Sequence, residues 1–295
     1  MTAAGAEESK ESDPMTQAKA LLDAGKLGAA IEEVTREVKA SPGDTSRRAL
    51  LFELLCFAGD WDRAEKQLDV IGHQSAQAEI GVQVYRNCIK AERARRRLFA
   101  DGLQPHFLAE PPAYVDLHLD AINRLREGNM PEARATLDRA EEERPAIEGR
   151  WQGDQPFEDF RDYDDLVGPV FELFVQDKYT WLPIEQTVRV EVAAPTQLRD
   201  LVWATVNVET RDKAMKAFMP VIYARSSEHA DDMVKLGRMT DWKEAGEGLF
   251  LAAGLRLFLI DGEEKSVFEL GNVEFAAGDS EIAPPIAAHS SDKVM

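Results

Sequence analysis

Cysteine is scarce in this chain: among 295 residues only Cys56 and Cys88 carry a thiol. Both fall within helical patterns, where they read as small packed residues in a reducing compartment rather than a disulfide. Long apolar runs are missing, and none approaches the roughly eighteen residues that spanning a bilayer needs. The first residues, MTAAGAEESKESDP, have neither a basic start nor an apolar stretch and do not read as a secretory signal. Positive charge is in deficit, with 35 Lys and Arg against 54 Asp and Glu. The resulting net charge of -19 argues against wrapping nucleic acid or lying on an anionic membrane. Histidine is sparse too: His73, His106, His118, His229 and His289 are scattered, with no pair at metal-ligand spacing. There is no zinc signature, no G-x-S-x-G elbow and no Walker or dinucleotide glycine loop. The stretch GEGLFLAAG (246–254) contains glycines but lacks phosphate-loop spacing. What remains is an acidic, soluble, cytoplasmic protein, long enough for two domains.

What the chain does have is a repeated joint. In AGDWDRAEKQL (58–68), Gly59 is placed to leave one helix in a left-handed conformation and Asp60 to cap the next. Trp61 packs into the elbow, and Ala64 and Leu68 continue one helical face. Gly25, Leu27, Ala30 and Val34 stand in the same places 34 residues earlier, the period of the tetratricopeptide repeat. Gly128, Met130, Ala133, Leu137, Ala140 and Pro145 form a third joint, 69 residues after Gly59. That interval predicts one degenerate unit in the gap, with residues 80–98 as its first helix. ALLFELLCFAGD (49–60) is apolar nearly all round, as expected of a helix covered by neighbours on both sides.

After Gly149 the texture changes. WQGDQPFEDFRDYDD (151–165) reads as an acidic linker and LVGPVFELFVQ (166–176) as a helix. TVRVEV (187–192) and WATVNVE (203–209) alternate with a period of two, as half-buried strands do. FMPVIY (218–223) is rich in strand formers, with Pro220 restricting it to an edge or a bulge. HADDMVKL reads as helical, and a hairpin about Asp261-Gly262 leads to a short last strand. The predicted fold is α+β. A tail at 1–14 and a tetratricopeptide-like helical domain at 15–150 precede a small β-rich domain, twisted sheet or partial barrel, at 151–276. A polar tail occupies 277–295.

Candidate binding residues follow from that layout. A groove lined by the first helix of each unit would present Lys19, Leu22, Asp23, Ala49, Glu53, Cys56, Phe57, His118, Ile122 and Arg126 to an amphipathic helix, unless the β-rich half fills it. Arg86, Lys90, Arg93 and Arg97 make one basic stripe, for an acidic partner or for neutralising carboxylates within the chain. Among the aromatic residues, Trp181 and Trp242 are the better candidates for surface binding, with core packing as the alternative for each. The acidic run Glu158, Asp159, Asp162, Asp164 and Asp165 offers carboxylates to a hard cation. Its plainer reading is a solvated linker whose last aspartates cap the next helix.

FRDYDDLVGPVFEL, YTWLPIEQ, PTQLRDLVWATVNVET, MPVIYARS, KLGRMTDW and GLRLFLIDGEEKSVFELGNVEF occur in that order. The series resembles the ImpE/TagJ family of bacterial type VI secretion accessory proteins, over roughly residues 15–276. The most telling pieces are Asp164-Asp165, Tyr179-x-Trp181-x-Pro183, Arg199-Asp200-Leu201-x-Trp203 and Leu236-Gly237-Arg238-x-Thr240-Asp241-Trp242. The family's G-x-G-x-R is present only as the elements Gly246-Glu247-Gly248 and Gly254-Leu255-Arg256. The resemblance implies a non-enzymatic adaptor without cofactor or catalytic residues. Its partners would be a helical segment of the small sheath subunit TssB and the sheath-recycling ATPase ClpV. The alternatives are a generic peptide-binding chaperone and a metal-dependent module on Asp162, Asp164 and Asp165.

Overall fold

In a computed structural model of the chain, residues 14–276 are described. Apart from Pro14, the two predicted tails lie outside them. The helices come first: α1 (Pro14–Asp23), α2 (Leu27–Ala40), α3 (Thr45–Phe57), α4 (Trp61–Gly72) and α5 (Ala76–Asp101). A two-residue strand, β1 (His106–Phe107), separates these from α6 (Ala113–Arg126) and α7 (Met130–Glu143). The starts are capped where short polar residues stand: Asp44 accepts from the Ser46 and Arg47 amides, Asp60 from Arg63, Ser75 from Ala78 and Asn129 from Glu132. At the α3–α4 joint Gly59 has φ +65°, and a Cβ there would lie 2.7 Å from Ser227, so both conformation and space require glycine. Leu51 to Phe57 of α3 are all buried, as the all-round apolar pattern anticipated.

One helical expectation fails. No return helix follows residues 80–98; α5 runs unbroken for 26 residues and gives way to β1. Good helix formers and the Ser75 cap propagate it, and Gly102, left-handed at φ +75°, ends it.

Strands then follow: β2 (Gly149–Trp151), β3 (Gln155–Phe157), β4 (Phe160–Asp162), β5 (Val170–Val175), β6 (Lys178–Pro183), β7 (Thr187–Val192), β8 (Trp203–Thr210) and β9 (Ala214–Pro220). After the short helix α8 (Asp232–Lys235) come β10 (Thr240–Gly246), β11 (Leu249–Gly254), β12 (Leu257–Ile260) and β13 (Glu263–Ser266). The helical turn α9 (Val267–Leu270) leads into β14 (Asn272–Phe275). Nine strands form an open sheet in the order β1-β6-β5-β9-β8-β7-β14-β2-β3, in which only β1 and β6 pair in parallel. A three-stranded sheet, β13-β12-β4, and the hairpin β10-β11 complete the architecture.

Three readings are corrected here. The expected linker 151–165 carries strands β2 to β4. The expected helix 166–176 is a turn followed by β5, whose residues are buried on both faces, so its apolar run resembles a buried helix in period. β9 is an interior strand, paired with β8 and at Phe174↔Phe218 with β5; Pro220 is its last residue, where a missing N–H is tolerated. The hairpin about Asp261-Gly262 is as expected, with both residues at positive φ (+50° and +81°), the signature of a type I′ turn.

Alternation along the strands divides the interior. Val170, Phe174, Tyr179, Trp181 and Trp203 join the helices in one apolar cluster. Phe171, Leu173, Leu182 and Val206 point the other way, to Phe160, Phe258 and Phe275 beside the small sheet. The layers are therefore helices, large sheet and small sheet.

Candidate functional site

The charge chemistry of the molecule is concentrated where the helical layer meets the sheet. The pleat of β5 turns Glu172, between Val170 and Phe174, toward the helices. From α5, Arg95 reaches it with two bonds, Nε to Oε1 at 2.8 Å and Nη2 to Oε2 at 2.9 Å, and donates a third to the Ile222 carbonyl at 3.0 Å. From the opposite direction Arg256 bonds Glu172 and Asp162, and its Nε donates to the Pro220 carbonyl at 3.0 Å. Tyr179 donates its hydroxyl to Glu172 and accepts the Trp181 indole N–H at 2.5 Å. Glu92 accepts from the Trp203 indole at 3.1 Å. Asp162 accepts from the Tyr223 hydroxyl at 3.0 Å and the Asp164 amide at 2.9 Å. Asp164 has only amide donors, Leu166 at 2.9 Å and Ala252 at 3.1 Å.

Three buried carboxyls, Glu172, Glu92 and Asp162, thus meet two buried guanidiniums, and a fourth, Asp164, lies buried beside Asp162 with amide donors. Burial alone would raise Glu172, but Arg95 and Arg256 outweigh it and hold that carboxyl well below the usual range. Asp162, with one arginine, is pushed by burial to about 6. Asp164, buried and repelled by Asp162, rises to about 7. Burial raises Glu92 as well, against the pull of Arg95. Buried charges of this kind stabilise only when fully partnered, and this cluster joins α5 to β5, and β5 through Arg256 to Asp162 of β4.

A second clasp lies on α3. The 3-10 turn Leu198–Leu201, closed by a Gln197/Asp200 capping box, directs Arg199 toward the helices. Arg199 bonds Glu53 at 2.8 Å and the Tyr85 hydroxyl at 2.6 Å, with its guanidinium 4.9 Å from the Tyr85 ring centre. Trp203 stacks on Trp61 (6.1 Å between ring centres) and Tyr85 (6.5 Å), with Phe52 tilted against it at 6.4 Å. The sheet therefore fills the α3 part of the predicted groove.

The predicted site residues do not form one patch. Leu22, Phe57, Ile122 and His118 are buried, and Glu53 is committed to Arg199. Burial, then the charge of Arg161, lowers His118 to about 4. Arg126 is exposed at the end of α6 and donates to the Ala100 carbonyl at 3.0 Å. Trp181 is fully buried, correcting its candidacy for surface binding: alternation along β6 puts it on the helix-facing side. Trp242 is half-buried on β10, 4.5 Å from the Tyr163 ring centre.

The basic stripe is paired within the chain: Arg86 with Glu79 and Asp69, Lys90 with Asp177, Arg93 with Asp62 and Glu65, and Arg97 with Asp101. The acidic run is not a solvated linker either. Asp162 and Asp164 are buried in the cluster, and Asp165 meets Arg161 at 2.7 Å and Arg134 at 3.0 Å. Among the described residues, no three His, Cys, Asp or Glu side chains gather so as to hold a metal ion.

Sequence reasoning missed Arg95, Glu92 and Glu172, and had Arg256 only as an element of the family's glycine-rich pattern. Their signal was position rather than type. Arg95 lies on the apolar face of α5 with Cys88 and Leu98, outside the stripe, and Glu172 interrupts the apolar run VFELFV.

The motif residues prove to be the parts of these clasps. Tyr179 and Trp181 serve Glu172, Arg199 and Trp203 hold α3 and α4, and Arg238 donates to the Asp23 carbonyl of α1 at 3.2 Å. Gly254 admits no side chain, since a Cβ would lie 1.9 Å from the Met239 carbonyl oxygen, and it delivers Arg256 into the cluster. The sequence pattern of the ImpE protein family matches residues 154–274. The "Type VI secretion system accessory component TagJ" of Pseudomonas aeruginosa PAO1 is 37% identical over 264 residues, 89% of this chain and 92% of that protein. The chain belongs to the ImpE/TagJ family. A crystal structure of a Vibrio parahaemolyticus protein superposes with a TM-score of 0.82 at 28% identity, covering 88% of this chain and 97% of that one. In this ImpE/TagJ chain, no helix of the described residues is long and apolar enough to cross a membrane.

Proposed function

We propose that this chain is a non-enzymatic, cytoplasmic adaptor of a bacterial type VI secretion system. It binds a helical segment of the small sheath subunit TssB and takes part in sheath assembly or ClpV-dependent recycling. One observation carries the reading: the 37% identity with the TagJ accessory component, which extends over 89% of the chain. Supporting it, the family motifs are spent on joining helices to sheet, as expected of a rigid scaffold.

In this reading α1/α2, α3/α4 and α6/α7 are tetratricopeptide-like hairpins, and residues 15–150 carry the partner on a platform formed by 151–276. Of the residues first assigned to the partner, Lys19, Asp23, Ala49, Arg126 and Trp242 keep solvent-facing surface and belong to its contact. Calorimetric titration of the full-length chain with purified TssB tests the reading, saturable binding being expected. Absence of heat and of co-purification, with both proteins folded, rules it out.

A further inference from the structure

Phe275, the last residue of β14, and Ala276 after it line a cleft of about 790 Å³. That volume is in the range of built ligand pockets, about 300–1,000 Å³. Its apolar lining is Leu108, Ala109, Pro145, Ile147, Leu182 and Phe275. Its walls are tied together by hydrogen bonds. Ala276 donates its amide to the Glu148 carbonyl at 2.8 Å, Gln186 reaches the Glu110 carbonyl at 2.7 Å, and the Ile147 amide is held by Asp159 at 3.1 Å. The β8–β9 turn closes on itself, the Thr210 amide donating to the Lys213 carbonyl at 2.8 Å, and supplies Arg211, Asp212 and Lys213 to the lining. Glu148 and Glu185 are its other charged residues, and Glu185 accepts the Tyr114 hydroxyl at 2.7 Å.

We infer that residues 277–286 of the same chain occupy this cleft, with Asp279 and Glu281 against Arg211 and Lys213, and Ile282 to Ile286 against the apolar lining. Residues 277–295 follow directly on Ala276, so they set out from inside the cleft. Asp279 and Glu281 stand three and five residues on, a reach of at most about 11 and 18 Å. Their i, i+2 spacing is also that of Arg211 and Lys213. Next comes IAPPI (282–286), an apolar run whose two prolines restrict the chain beforehand and so lower the cost of ordering it. Charge selects this cleft over its neighbour. A second cleft, of about 710 Å³, also borders Phe275 and Ala276, but its charged lining is Glu148, Glu158, Asp261 and Glu274 against Arg150, which repels the two acids. The tail of a second copy is the poorer occupant. A tether of a few residues gives the chain's own tail an effective concentration on the order of millimolar, and two chains of net charge -19 repel. Any external peptide entering this cleft must therefore displace the tail.

This docking is independent of the proposed TssB contact, so no partner enters its test. Amide hydrogen exchange of residues 277–286 is followed by mass spectrometry in the full-length chain, with a synthetic peptide of residues 277–295 as the free reference. The same measurement is made on Arg211→Glu/Lys213→Glu, on Asp279→Lys/Glu281→Lys and on the variant carrying all four changes, each at two protein concentrations and with thermal melting in parallel. Arg211 and Lys213 are exposed, so the melting temperatures should stay close together. In the wild type, exchange should be at least about tenfold slower than in the peptide. Either charge reversal should return it to the peptide's rate, and the fourfold variant should regain the protection. A wild-type tail that exchanges like the peptide overturns the inference whatever the variants do. Reversals that leave the protection in place, or a fourfold variant that does not regain it, overturn the pairing with the β8–β9 turn. Protection that grows with protein concentration makes a second copy's tail the occupant and overturns docking within one chain.

Discussion

Arg95 and Glu172 stand 77 residues apart in the chain and meet in a two-bond ion pair at the helix–sheet boundary, both nearly inaccessible to solvent. Arg256 grips the same carboxylate from the other side, so the three layers are referred to one buried group. Replacing Glu172 by Ala leaves two buried guanidiniums short of a partner. The expected cost is about 3–5 kcal/mol, read by urea denaturation. A loss below about 1 kcal/mol would show that the pair contributes little to docking.

The cluster also sets a pH dependence. Asp164 titrates near 7 in the fold against an ordinary value of 3.8. A raised carboxyl contributes stability that is complete below its unfolded pKa and is lost as pH rises through its folded one. Asp162, at about 6, acts in the same direction. His118, lowered to about 4, opposes them mainly below its ordinary 6.5, and the opposition fades over about one pH unit above it as the unfolded imidazole loses its proton. Stability should therefore fall between pH 6.5 and 8, on the order of 1 kcal/mol. Melting curves across that window decide it; a flat or rising midpoint contradicts the assignment.

Two glycines should respond in opposite ways. Gly81→Ala, in an exposed helix with open space around it, should stabilise by about 0.5–1 kcal/mol. Gly254→Ala, at φ +94° and against the Met239 carbonyl, should destabilise by more than about 1 kcal/mol. Chemical denaturation of both, side by side, checks the contrast.

Trp181→Ala should behave as a core mutation rather than an interface mutation. Its indole is fully buried and bonded to Tyr179, so the expected loss is about 3–5 kcal/mol. If thermal stability is instead unchanged and TssB binding alone is lost, the placement of Trp181 is wrong.

The joints of the helical half were readable in the linear order of residues. Gly59, Asp60 and Asp44 act through backbone conformation and local caps, which depend on near neighbours. The strands β7 and β8 and the turn at Asp261-Gly262 were legible for the same reason: period and turn chemistry are local. β5 was not, since burial on both faces erases its alternation. Glu172, Arg95 and Arg256 were not either, since nothing near them in sequence says that they share a charge cluster. Trp181 and the basic stripe show the same limit. A tryptophan's exposure depends on which layer covers its strand, and Lys90 is neutralised by an aspartate 87 residues away. Residue order alone determined the joints between α1 and α2, α3 and α4, and α6 and α7, the family motifs and the absence of signature catalytic strings. Only the tertiary structure decided that those motifs clamp helices to sheet, because burial and charge pairing are properties of elements brought together from distant parts of the chain.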